Sequence, residues 1–193
     1  MLSTQKMFKK DSNRLFLVIL FCFISFSSIW GQSELNIIDK TVNFGMKSVD
    51  NRVIDAIIIH SVYNASEGDK YDVDLVIKEF SHYGVSSHYV IGRDGTIYQL
   101  VREKNISYQA GKSSLPDGRT NVNSCSIGIE IITSKDSLDA PTEFQIKSLT
   151  ALVKDIQSRY KIKYVLRHSD IAPGRKTDPW NMNWDDFLAR ISK

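Results

Sequence analysis

Cysteine is almost absent from this chain: Cys22 and Cys125 are the only two in 193 residues. Cys22 falls in an N-terminal leader, so removal of that leader leaves one thiol and no intrachain disulfide. Stability must then come from a packed core rather than from covalent staples. Long apolar runs are equally scarce. Leu15 to Trp30 is uncharged and rich in Leu, Ile and Phe, and no second such run follows it. It is shorter than the ~20 residues a spanning helix needs. An excess of positive charge is also missing once the leader is set aside. Lys6, Lys9, Lys10 and Arg14 against Asp11 account for the whole formal +3 of the chain, so residues 32–193 are balanced. A balanced chain lacks the basic footprint of a nucleic-acid binder, and no nucleic-acid partner is expected.

What the leader does contain is ordered as export signals are: basic residues, an uncharged apolar stretch, then polar residues from Gly31-Gln32. Residues 1–31 are therefore expected to be a signal peptide, residues 32–51 an N-terminal extension, and residues 52–193 one folded domain of ordinary size. The expected location is periplasmic or secreted, the periplasm being favoured, with no stable membrane insertion after cleavage. An uncleaved leader acting as a membrane anchor is the alternative. Cys22 is not read as a lipid-attachment site, because Phe21 before it is too large for the small residue such sites carry.

Periodicity orders the rest. Val53 to His60 is a β-branched run ending in a histidine, the pattern of a buried strand. Asp72 can cap a helix that sets Leu75, Val76, Phe80 and Tyr83 on one face and stops at Gly84. Asp94-Gly95, between His88–Arg93 and Thr96–Arg102, signals a hairpin. Residues 103–123 read as an irregular connection, of a length that is often functional in compact domains. Ser126 to Thr133 is a further strand. Thr142 and Gln145 fit a capping box, opening a helix to about Tyr160 with Phe144, Leu149, Leu152, Val153 and Ile156 facing inward. Lys163 to Arg167 is a short strand closed by His168, and residues 171–183 form a loop stiffened by Pro173 and Pro179. A last short helix carries Phe187, Leu188 and Ile191. Strands alternating with helices around one hairpin predict an α/β fold: a single domain with a mixed central β-sheet flanked by helices on its faces.

Of the chain's four histidines, two close predicted strands, His60 and His168, and Asp178 stands in the loop after the second. The carboxyl ends of strands are where open α/β sheets bind ligands. Two imidazoles and a carboxylate around zinc leave one coordination position open, the arrangement of a catalytic rather than a structural site. Water in that position ionises with a pKa of about 7. Lys176 and Asp178 stand two apart, so an extended loop points them the same way. His88 is read as supporting the sheet and His82 as a contact at a helix C-terminus. A serine hydrolase built on Ser169, His168 and Asp170 is set aside: neighbouring residues rarely converge as a triad, and no Gly-x-Ser-x-Gly elbow is present.

Several segments are more specific than their composition. They are Ile58-Ile59-His60, then Ser87-His88-Tyr89-Val90-Ile91 with Arg93-Asp94-Gly95-Thr96-Ile97, then Ser126-Ile127-Gly128-Ile129-Glu130. Last comes Arg167-His168-Ser169-Asp170-Ile171-Ala172-Pro173-Gly174-Arg175-Lys176-Thr177-Asp178-Pro179. In this order the chain resembles the zinc-dependent N-acetylmuramoyl-L-alanine amidases of the type-2 amidase and peptidoglycan recognition protein superfamily, over roughly residues 52–190. The final stretch carries most of the specificity.

The resemblance implies hydrolysis of the amide between the lactyl group of N-acetylmuramic acid and L-alanine, with a peptidoglycan glycopeptide as partner and Zn2+ as cofactor. It implies His60, His168 and Asp178 as zinc ligands, Glu130 as the group that takes a proton from the zinc-bound water, and Lys176 as the charge facing the carbonyl oxygen. It gives Asn123 a place against the glycopeptide. The Lys-Thr-Asp-Pro motif marks the subgroup whose third ligand is aspartate rather than cysteine, so Cys125, in another segment, is not expected to substitute. Many relatives carry a histidine just before Ala-Gly where this chain has Gln109-Ala110-Gly111. That histidine is no metal ligand in the family pattern, so a difference is expected in substrate contacts or activity level rather than in zinc binding. The competing reading is a non-catalytic recognition module. Such modules usually lack a zinc ligand, whereas all three are present here with Glu130 and Lys176.

Overall fold

Isoleucine-rich runs such as Ile57-Ile58-Ile59 and Ile127 to Ile132 suit strands covered on both faces. In the computed structural model, which describes residues 35–136 and 138–192, both runs lie on inner strands of a six-stranded sheet. The leader expected at residues 1–31 lies outside the described residues. The strands are β1 (Ile37–Asp39), β2 (Met46–Lys47), β3 (Ala56–Val62), β4 (Tyr89–Ile91), β5 (Ile97–Gln99), β6 (Ile106–Ser107), β7 (Ser126–Ile132) and β8 (Tyr164–Arg167). The helices are α1 (Val73–Tyr83), α2 (Glu143–Arg159), the single turn α3 (His168–Ile171) and α4 (Trp184–Ile191). The main sheet has the order β1-β5-β4-β7-β3-β8, and β2 pairs with β6 in a separate ribbon. Strands β4, β7, β3 and β8 are parallel, β5 runs antiparallel to β4, and β1 runs parallel to β5. The fold is thus α/β with a mixed sheet.

Alternation along each strand divides the core. One face carries Ile57, Ile59, Ile127, Ile129 and Ile131, packed against Leu149, Leu152, Val153 and Ile156 of α2 and Phe187 of α4. The other face carries Ala56 and Ile58 under Ala110, Leu115 and Ile171, and farther along Val90 and Ile132 under Val76 and Phe80 of α1. His60 and Glu130 project from this second face, continuing the rows of Ile58 and Gly128. Among the described residues, no helix is long and apolar enough to cross a membrane.

Several expectations change. Strand β3 runs on to Val62, so His60 sits inside it rather than closing it. Phe144 is 69% exposed, not inward. In that first turn of α2 the inward place is taken by Gln145, whose amide donates to the carbonyls of Ile91 (3.1 Å) and Ile132 (3.0 Å). Tyr83 is 72% exposed, because the buried contacts of α1 end a turn earlier, at Phe80. The connection 103–123 is less irregular than expected: it holds β6 and enters a 3₁₀ turn at Val122–Cys125.

Candidate metal centre

Parallel pairing places the site. Strands β3 and β7 align His60 with Glu130, and β8 on the other side of β3 aligns Arg167 with Ile59. The residue that follows Arg167 is His168, so it arrives beside His60. The loop bearing Asp178 is tied down twice. The Ser169 N–H donates to the Asp178 carbonyl (3.0 Å), and the Trp180 N–H donates to Ser61 Oγ on β3 (3.1 Å).

The result is a triangle of donor atoms. His60 Nδ1 lies 2.9 Å from His168 Nδ1, His168 Nδ1 lies 3.1 Å from Asp178 Oδ2, and His60 Nδ1 lies 3.5 Å from Asp178 Oδ2. Ligands about 2.0–2.1 Å from a tetrahedral zinc stand about 3.3 Å apart, so the triangle has the size that ion requires. All three residues are buried.

The far sides of both rings are engaged. His168 Nε2 faces the Ala110 carbonyl at 3.2 Å, and a carbonyl only accepts, so that nitrogen carries the proton and Nδ1 is bare. His60 Nε2 meets Gln109 Oε1 in the same way. Burial lowers the His60 pKa and favours its neutral form. Two bare nitrogens and an anionic oxygen therefore converge on one point. Such a set repels itself unless a cation stands among it, and nitrogen, nitrogen and carboxylate oxygen suit zinc.

Around the triangle opens a cleft of about 390 Å³, lined by Glu130, Lys176, Asn123, Tyr108 and Trp180 among others. Glu130 is 8% exposed, and its carboxylate makes no hydrogen bond to another described residue. Burial, then the charge of Asp178, raises its pKa well above the ordinary value, while Lys176 pulls it back. Lys176 itself is exposed at the cleft margin, its N–H bonded to the Ala172 carbonyl (3.0 Å). Asn123 Oδ1 accepts from the N–H groups of Gln109 (3.2 Å) and Ala110 (2.8 Å), which ties the cleft wall to the ring contacts behind the triangle. Cys125 is buried in the apolar cluster of Ala56 and Ile58. Sequence reasoning missed the contacts of Gln109 and Ala110. The departure at Gln109 was the one visible signal, and the Ala110 contact is a main-chain carbonyl that residue type does not reveal.

A mixed sheet with this cluster on one face defines the class: the family model for N-acetylmuramoyl-L-alanine amidase matches residues 50–181, and the chain belongs to that family. Among its relatives, the 1,6-anhydro-N-acetylmuramyl-L-alanine amidase AmpD of Escherichia coli (strain K12) is 39% identical over 118 residues, 60% of this chain and 63% of its own. The N-acetylmuramoyl-L-alanine amidase AmiD of the same strain is 36% identical over 142 residues, 65% of this chain and 49% of its own. The match thus spans about half to two thirds of the length of these curated relatives. A crystal structure of an AmpD derivative aligns with TM-score 0.68 at 26% identity, covering 83% of this chain and 97% of that one. AmiD from E. coli, in complex with the substrate anhydro-N-acetylmuramic acid-L-Ala-D-gamma-Glu-L-Lys, aligns with TM-score 0.62 at 31% identity, covering 75% and 60%.

Proposed function

We propose that this protein is an exported zinc amidase that cleaves the bond between the lactyl group of N-acetylmuramic acid and L-alanine in peptidoglycan or its fragments. The observation that carries this reading is the convergence of His60 Nδ1, His168 Nδ1 and Asp178 Oδ2 beside an unpaired, buried Glu130. A zinc ion held by those three residues would polarise the amide carbonyl and acidify a water.

The chain's own groups do the rest. Glu130, its pKa raised by burial and by the charge of Asp178, takes the proton from the attacking water and returns it to the departing L-alanine nitrogen, which leaves as a neutral amine. Lys176 brings a positive charge to the side of the cleft where the carbonyl oxygen becomes anionic; loss of such a donor costs on the order of 3 kcal/mol of barrier. Asn123 faces the glycopeptide with the part of its side chain that does not hold the loop. Export is supported by the basic leader and the uncharged run Leu15–Trp30, and the reading places the folded domain in the periplasm or outside the cell.

Mature protein incubated with a defined muropeptide, and the products weighed, tests the reaction: sugar and intact stem peptide should separate at the lactyl–alanine bond. Chelator should stop the release and added zinc should restore it. Release indifferent to chelator would remove the metal from the mechanism. N-terminal sequencing of the exported form should begin near residue 32; an intact leader would favour the anchored form.

A further inference from the structure

We propose that Gln109 is a positioning residue that fixes His60 in the one tautomer able to ligate a metal, through a chain of hydrogen bonds whose direction is set at Val122. Ser126 Oγ lies 2.7 Å from the Val122 carbonyl, which can only accept, so the hydroxyl proton is committed there. The same oxygen can then only accept from Gln109 Nε2, 2.8 Å away. That contact decides which end of the amide points where: Gln109 Oε1 is turned to His60 Nε2. An amide oxygen donates nothing, so the neutral His60 ring carries its proton at Nε2 and turns its bare Nδ1 toward the point shared with His168 Nδ1 and Asp178 Oδ2. The opposite amide orientation would set an N–H against Nε2, move the imidazole proton to Nδ1 and block the ligand position.

The backbone makes room for this arrangement. A Cβ built on Gly128 would lie 2.6 Å from Gln109 Cδ and 2.7 Å from Cγ, so only glycine at 128 lets the side chain pass along β7. Asn123 Oδ1 accepts from the Gln109 N–H and so holds its main chain. Loop, strand and turn thus converge on one amide, which does not itself titrate.

Because this rests on the zinc reading of the site, the decisive measurement needs no zinc. Long-range ¹H–¹⁵N spectra of the metal-free protein, at a pH where His60 is neutral, should show its Nε2 protonated and Nδ1 bare. Gln109→Met, similar in length but without an acceptor, should mix the two tautomers and weaken zinc binding about 10–100-fold in competition with a chromophoric chelator. Gln109→Glu, which keeps an acceptor in place, should restore both. If Gln109→Met does not fold, Ser126→Ala asks the same question by freeing the amide to rotate, and should also mix the tautomers. A folded Gln109→Met or Ser126→Ala protein with the wild-type tautomer and zinc affinity overturns the role of Gln109. A wild-type protein that shows the Nε2-protonated ring but binds no zinc overturns only the metal reading.

Discussion

His88 is a buried imidazole put to a different use from those of the candidate metal centre. The Gly128 N–H donates to its Nδ1 (3.0 Å), and its Nε2 donates to the Asn105 carbonyl (3.1 Å). Burial, then the guanidinium of Arg52, pushes its pKa from 6.5 down to about 3. A base whose folded pKa is depressed lends its full stability above the unfolded pKa and loses it as the pH falls toward the folded one. The slope is about 1.4 kcal/mol per pH unit for one such group. Urea unfolding at about pH 7 and about pH 5 should therefore show the wild type losing about 2 kcal/mol more than His88→Gln over that interval. Equal losses would mean that the ring does not gain a proton on unfolding. At this scale the sequence singled out residue types well and contacts poorly. His60, His168 and Asp178 are rare, chemically marked groups in a recognisable order, and the structure brings them together. The contacts of Gln109 and Ala110 depend on a main-chain carbonyl and on the space left by Gly128, and neither is written in a side chain's chemistry.

Helix α2 shows what one turn can do for the sheet beneath it. Thr142 caps the helix by accepting from the Gln145 N–H (3.1 Å), and Gln145 Oε1 returns a bond to the Thr142 N–H (3.0 Å). That capping box is legible in the sequence because its spacing is local. The rest of Gln145 is not: its amide reaches the carbonyls of Ile91 and Ile132, at the ends of β4 and β7. Loss of a cap costs about 1 kcal/mol. Leaving two buried carbonyls without a donor costs about 1–3 kcal/mol each when water does not replace it. Gln145→Ala should thus lower unfolding free energy by clearly more than Thr142→Ala in the same urea titration, and equal effects would reduce Gln145 to a cap. The same turn explains why Phe144 was misread. Apolar identity alone set it inward, but a helix turns about 100° per residue and the inward direction already belongs to Gln145. The short strands β1, β2 and β6 went unseen because two or three residues carry no measurable alternation.

The whole molecule separates support from chemistry by face. Helices α2 and α4 pack on one side of the sheet, while the other carries α1, the long connection and the candidate metal centre. The three donor residues reach that centre from β3, from the start of α3 and from the loop before α4, segments far apart in sequence. An unfolded chain cannot assemble them, so an ion that binds there stabilises the native state by mass action, about 4 kcal/mol when its free concentration is 1,000 times its dissociation constant. Without it, two bare nitrogens and a carboxylate are held within 3.5 Å of one another, an arrangement that opposes folding. Thermal unfolding should therefore shift upward on adding zinc to the metal-free protein. Asp178→Asn, which removes the anionic member of the proposed ligand set, should lose most of that shift. Glu130→Ala should keep it while abolishing most muropeptide cleavage, since the role proposed for Glu130 is to move a proton rather than to hold the ion. A Glu130→Ala protein that loses the zinc-dependent shift would make Glu130 a ligand or its support. One that retains wild-type cleavage would leave the proton transfer to another group.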